Sequence, residues 1–573
     1  LIGASEIGSG TEQVERAARG EGYDFLVRVA HMRGTAGTTV SLSAIHLATG
    51  DTEFDRSVLV SDREAQEAVA RFALAALQRM AEREDAEIGL RPDALTASPS
   101  PRAVRALLDA KRRLMRGDRV GGATTLDSAI AADPDFRLAY FRRAVVEEWL
   151  HAWPRLGAAI VERGLARPSP RGMQWIPLLE AQRYFSHSIV DSAVRSFDLL
   201  VHDAPRDPDA WLGYAEALYH FGPFLGHRKD EARLPLERAV ELGARYPTII
   251  SHLADLALAR RDTTEVQRYV AYLEQSVDPD PARATTRRLA YMLAFGSGSA
   301  KARVWAELDT AVTTRDVFSN LVMQLALELE NRGAADSVAG MLMDSRRSPD
   351  FKLRGAQYQL ALRASMGRWQ DGLRAWLSQA EAGAFDEWLV SAHIAGYPAD
   401  RWAEPMLAEA WAEVRARRSP DFSVAPYADV RTRFRSVVHW TTAYGDSAQA
   451  RSLLDAIARG LPRPNGADPL PGALEASLHA RLALLAGDTT VAVTLLTAAA
   501  RRPLWHLVAY YPSLSFPAQR MLLAEVHASR GHAARAEDWL DSFREVGAIG
   551  DLLYAERVTG LRAELAGQAD HDR

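Results

Sequence analysis

A chain of 573 residues exceeds what one compact core sustains, so it divides into domains or extends as a repeat array. Hydrophobic residues at 47% and charged residues at 25% supply the balance of a folded, core-forming protein, and a net charge of −5 excludes recognition of nucleic acid by bulk electrostatics. The absence of cysteine excludes disulfides, thiolate metal sites and a cysteine nucleophile.

Four lysines, at 111, 229, 301 and 352, stand against 65 arginines, and the arginines are scattered rather than striped, as genomic base composition would produce. No apolar run reaches the ~18 residues of a membrane helix, so no membrane insertion by this segment is expected. The chain opens at Leu1 without an initiator Met or a signal segment. It is therefore expected to be part of a longer product, in which an anchor or catalytic domain could precede it.

Residues 1–88 carry their own rhythm. A polar helix is predicted near Thr11 to Arg19. Period-two alternation then follows, with Phe25, Val27 and Val29 in one strand and Val40 and Leu42 in the next. Glycines at Arg33 to Gly37 and the stretch Ala48 to Asp51 supply hairpin connections, and Phe54 to Val60 forms a third strand. Ser61-Asp62-Arg63-Glu64 opens a helix expected to reach Arg83. Pro92 and Ser98-Pro99-Ser100-Pro101 break both periodicities, which makes 89–101 a linker.

From Arg102 onward the periodicity is helical, and one unit recurs. Its cleanest copy runs from Ala473 to Arg501. A helix over Leu474 to Leu485 ends at Gly487, and Asp488, Thr489 and Thr490 supply capping oxygens for the second helix. Ala480 and Ala492 stand where the helices must approach closely, with Leu496 and Ala499 on the buried stripe. The same offsets recur in Ala181, Ala193 and Phe197, in Ala254, Val266 and Val270, and in Ala524, Ala536 and Leu540. Ala110, Gly122, Leu126 and Ala129 begin the series, while Ala450 with Leu454 and Ile457 belongs to a later copy. A small residue, twelve positions, a small residue, four positions and a large residue predict stacked helix hairpins rather than a generic bundle. The copies degrade between 281 and 418, where Gly367, Gly372 and Trp376 keep part of one. Ser419-Pro420 to Pro426 then reads as a joint between a first stack, 102–418, and a second, 427–568, before a disordered tail at 569–573.

These positions resemble the tetratricopeptide repeat. The order GYDFLVRVAHMRG, TVSLSAIHLATGD and a following helix, with Leu47 to Gly50 as the turn, resembles the second half of a TolB amino-terminal domain. The segments AIAADPDFRLAY and DPDAWLGYAEALYHFG look like repeats found behind such domains in bacterial multidomain regulators. The resemblance implies a mainly α chain, an α-α superhelical solenoid preceded by a small α/β sheet domain. It also implies the sensory or scaffolding half of a regulator whose kinase, cyclase or winged-helix module would lie upstream. Such a protein is expected outside the cytoplasm if a membrane helix precedes it, and in the cytoplasm otherwise.

Candidate contact residues concentrate in the repeat from Asp207. About five extra residues, including Gly222, Pro223 and Gly226, lengthen its turn. Trp211, Glu216, Tyr219 and His220 lie on or near the face that stacked hairpins turn inward, with His227 in the turn. The competing reading is a satisfied structural histidine and a packing tyrosine. His220 and His227 lack the four-residue spacing of a zinc pair, so no metal and no cofactor are expected. Arg435 and His439, one helical turn apart, could hold a carboxylate on the open side of a later repeat or form a solvated polar face. The uncharged aromatic stretch Trp505 to Pro517 is either a packed loop or a contact surface, with Pro517 suited to start a helix. No His-Glu-x-x-His, Gly-x-Ser-x-Gly or phosphate loop occurs, so no catalytic residue is assigned. The expected function is a non-catalytic module that binds a protein or peptide in its groove. The alternatives are a small-molecule sensor and an enzyme with an unrecognised site.

Overall fold

Period-two alternation produces a three-stranded antiparallel sheet, β1 (Phe25–Gly34), β2 (Gly37–His46) and β3 (Thr52–Val60), in the order β1-β2-β3. The computed structural model describes residues 25–61, 64, 68, 72, 97–150, 155–170, 172–276, 282–309, 315–344, 346–380, 384–417, 428–460, 469–505, 507, 508 and 510–571. β1 pairs with β2 from Phe25–His46 to Gly34–Gly37, and a bulge at Ala44/Ile45 interrupts the β2–β3 ladder. Val40, Leu42 and Ala44 of β2 are fully buried, and Phe54 meets Phe72 edge-on at 6.4 Å. The Ser61 backbone N–H and hydroxyl both donate to Glu64, as a helix start requires. The predicted helix at Thr11 to Arg19, most of Ser61 to Arg83, Pro92 and the joint at Ser419 to Pro426 lie outside the described residues.

Beyond the sheet the protein is helical, with 25 α-helices among the described residues. They begin where the sequence supplies caps. Ser100 accepts from the Ala103 N–H, Asp118 from Gly121, Asp262 from Glu265 and Asp488 from Val491, each closing an orphan donor of a first turn. Glycines at positive φ, Gly117 and Gly487, end the preceding helices. Consecutive helices pack in pairs, among them Pro101–Met115 on Arg119–Ala132, Leu470–Leu485 on Thr489–Ala500 and Pro517–Ser529 on Ala533–Glu545. The predicted small positions are the contact points. Ala110, Ala181, Ala193, Ala254, Ala480, Ala492, Ala524 and Ala536 all have zero exposure. At Gly122 a Cβ would stand 2.5 Å from the Leu114 side chain, and at Gly213 it would stand 2.0 Å from the Phe197 ring, so both crossings require glycine. The last helix, Ala555–His571, continues past residue 568, where the sequence predicts a disordered tail.

Late segments of the chain return to early ones. Trp505 packs on Phe185 and His220, with ring centroids 5.3 and 4.0 Å apart. Glu545 accepts the Lys229 backbone N–H at 2.9 Å, and Arg354 donates to the Tyr510 carbonyl at 3.0 Å. Leu507, Leu514 and Phe516 are buried, so the aromatic stretch is a packed loop, and Pro517 opens a helix behind Phe516. These returns border an open cavity between the helices that begin at Pro208 and Pro247 on one side and residues 320–328 and 505–547 on the other.

Candidate functional site

The cavity has a volume of about 430 Å³. Asp207 caps the helix Pro208–Phe221, and in its last two turns Glu216 and His220 share one face at i, i+4, with Tyr219 beside them. The helix Pro247–Ala259 adds Ser251, His252 and Asp255. Glu216 and Asp255 occupy equivalent places, each eight residues after the proline that opens its helix. The opposite wall comes from Gln324–Glu328, a π-helical turn that follows the helix Arg315–Met323. Such turns place side chains that a regular helix would direct elsewhere, and they are frequent at functional sites.

Glu216 is 6% exposed and stands between two imidazoles. Its Oε2 lies 3.5 Å from His220 Nε2, and its Oε1 lies 3.5 Å from His252 Nε2. Tyr219 stacks on His252 with centroids 4.0 Å apart, and Trp505 covers His220 at the same distance, so the rings are held by their faces. Burial pushes the Glu216 carboxyl up, but His252 and His220 outweigh it and hold the group well below the usual carboxylate range. Both ring nitrogens of His252, together with Glu216 Oε1 and Gln324 Oε1, are buried without a hydrogen bond.

A second set of charges crosses the cavity. Asp255 accepts from Arg287 at 2.6 Å, from Gln324 at 2.9 Å and from the Tyr219 hydroxyl at 3.4 Å. Lys229 Nζ reaches Glu328 at 2.5 Å and sits 4.7 Å from the Tyr219 ring centroid. Burial pulls the Lys229 ammonium down, but Glu328 outweighs it and keeps the group charged well above the usual range. Burial also pushes the Tyr219 hydroxyl well up, against the pull of Lys229.

Of the residues singled out in the sequence, Glu216, Tyr219 and His220 meet at this cavity. Trp211 does not line it. It donates through its indole to the Pro205 carbonyl at 3.0 Å and packs on Tyr214. His227 turns to Glu231 at 2.9 Å, and the histidine that joins His220 is His252 of the next helix pair. Arg435 and His439 lie neither on an open face nor in a solvated one, at 0% and 1% exposure. Arg435 does hold a carboxylate, that of Glu387, at 2.6 Å, and His439 is 2.9 Å from Gln519 Nε2. The long turn of the Asp207 repeat folds inward as two 3₁₀ turns, Gly222–Leu225 and Lys229–Ala232, which bury Phe224 and carry Lys229 into the cavity. Lys229, His252, Asp255, Gln324 and Glu328 were missed by sequence reasoning. The shared eighth position of Glu216 and Asp255 is the signal that could have found one of them.

No protein-family model matches the chain, and no curated protein matches it in sequence. Among the described residues no helix is long and apolar enough to cross a membrane.

Proposed function

We propose that the helix hairpins stack as tetratricopeptide-like repeats, and that the chain is a non-catalytic sensory module which binds a small polar molecule in its central cavity. The observation that carries this reading is a cavity of about 430 Å³ whose wall holds buried polar atoms without a hydrogen bond, on Glu216, His252 and Gln324. That volume suits a small ligand, and unpaired buried polar atoms are costly unless something meets them. Carboxylates at Glu216, Asp255 and Glu328 and cations at Lys229 and Arg287 favour a ligand that carries both donors and acceptors. Ligation would tighten contacts between residues 216–255 and 505–547 and so bias how the two ends of the helical array sit. In a regulator of the kind the sequence resembles, that is a route to an upstream output domain.

The protein or peptide partner suggested by the repeats is the second reading, and one observation favours it. Leu199 and Leu234, 58% and 65% exposed, lie outside the packed stripes of their helices, near Trp211 in the chain. Thermal-shift and calorimetric screening of purified protein against polar metabolites separates the two. The cavity reading expects a stabilising hit that Gln324→Leu abolishes, since leucine keeps bulk and removes the amide. No hit among polar molecules, together with capture of a protein that Leu199→Ser or Leu234→Ser abolishes, would reverse the order.

A further inference from the structure

The Glu216, His220 and His252 side chains meet at ion-pair distance, with a different carboxylate oxygen facing each imidazole. At 3.5 Å each, the two carboxylate-to-imidazole approaches exceed the 2.7–3.2 Å of an N–H···O bond. They are also too short to admit a bridging water, which needs about 4.5 Å between the groups it joins. A tetrahedral ion with bonds of about 2.0–2.1 Å sets its ligand atoms about 3.3–3.4 Å apart, so the three donors, which lie within 4.8 Å of one another, would draw together on binding. We propose that Glu216, His220 and His252 form a binding site for a divalent transition-metal ion of the zinc class, with its remaining coordination position open to the cavity.

Four features support the assignment. The three side chains each offer a ligand atom, all within 4.8 Å of one another. Glu216 and His220 share one helix face at i, i+4, and His252 arrives from the neighbouring helix pair, so the donors converge from two rigid elements. His252 is 9% exposed and has no hydrogen bond on either ring nitrogen, and Glu216 Oε1 likewise accepts none. Two imidazoles and one carboxylate select zinc, cobalt or iron over calcium or magnesium, which take oxygen ligands. Stacking by Tyr219 and Trp505 fixes the ring planes, as supporting residues around metal-bound histidines do.

The site stands apart from the small-molecule reading, because metal uptake is measured on the chain with no organic ligand present. The protein is stripped with a chelator, dialysed and titrated with Zn²⁺ by calorimetry and with Co²⁺ by visible absorption. Expected are about one ion per chain and Co²⁺ bands of the intensity typical of a tetrahedral centre, displaced by Zn²⁺. Glu216→Gln and His252→Ala should each weaken uptake at least about tenfold. His227→Ala, outside the cluster, should leave it unchanged. The Co²⁺ spectrum of the parent protein decides the matter even if a variant fails to fold. Absence of Co²⁺ uptake by the folded parent, or uptake that survives His252→Ala, overturns the site. Polar-molecule binding that persists in chelated protein would leave the cavity reading standing without the metal.

Discussion

Two buried clusters of charge in this protein treat the same problem in opposite ways. In the C-terminal part, every guanidinium nitrogen of Arg520 donates, at 2.5 Å to Asp551 and 3.0–3.1 Å to Ser515 and Ser542, and Arg520 and Asp551 side chains have zero exposure. Arg435 is bound as directly, to Glu387 and Ser513. Around Glu216 the approaches stand at 3.5 Å; each cluster borders a cavity and keeps a buried oxygen without a hydrogen bond, so the contact distance is what separates them. Burial of a charge therefore does not mark a site by itself. Contacts closed at 2.5–3.1 Å hold segments together, whereas contacts left at 3.5 Å leave the charges room for something else to bind.

The largest expected effect tests the closed side of that contrast. Arg520→Ala leaves Asp551 buried without its partner and should cost about 3–5 kcal/mol in chemical unfolding. Burial pushes the Asp551 carboxyl up against the pull of Arg520, so without Arg520 the group must either stay charged with no cation or take up a proton. A cost near zero would show that the cluster relaxes into solvent and would erase the distinction.

Core packing ranks next. Leu496→Ala should cost about 2–5 kcal/mol through the cavity it opens. Ala480→Leu should cost about 1–3 kcal/mol by forcing apart helices that touch at a fully buried position. If both variants unfold with the parent, the hairpin spacing does not govern that region.

The third test uses pH to sharpen the comparison. Burial, with Arg435 adding to it and the Gln519 contact opposing it, lowers the His439 imidazole to about 3. Phe516 faces it from the next element. An unfolded histidine takes up a proton near pH 6.5 and folded His439 does not, so its share of stability is complete above about pH 6.5 and falls as pH drops toward 3. By pH 5 this amounts to about 2 kcal/mol, which His439→Gln should remove from the acid limb. Glu216 has the other window. Its depressed pKa supports the fold above the ordinary carboxylate range and is lost only below it, so it should leave the interval from pH 7 to 5 untouched. Parent and His439→Gln curves that coincide would place the titrating group elsewhere.

The smallest effect is a control. Trp211 lies outside the cavity, so Trp211→Ala should change stability by no more than about 1 kcal/mol and leave metal and ligand binding as they were. Loss of binding in that folded variant would show that the outer edge of the repeat contributes to the site.

Local rules determined much of this protein in sequence. The period-two strands, the aspartate and serine caps, and the small residues at helix crossings depend on neighbours within about 30 residues, and each rests on sterics or on orphan N–H groups that any copy of the unit must satisfy. Glu216, Tyr219 and His220 were legible for the same reason, as one face of one helix. The partners of that face were not. His252 comes from the next helix pair, Gln324 and Glu328 from a π turn in a region whose repeat signal is worn, and Trp505 and Glu545 from about 300 residues away. Lys229 was visible only as one of four lysines, until the inward fold of its turn set it against Glu328 and Tyr219. Only the tertiary structure decided that Arg435 and His439 belong to a closed interior and Glu216 to an open one. The two share residue types and helical spacing, and they differ in what distant segments bring within reach of the charge.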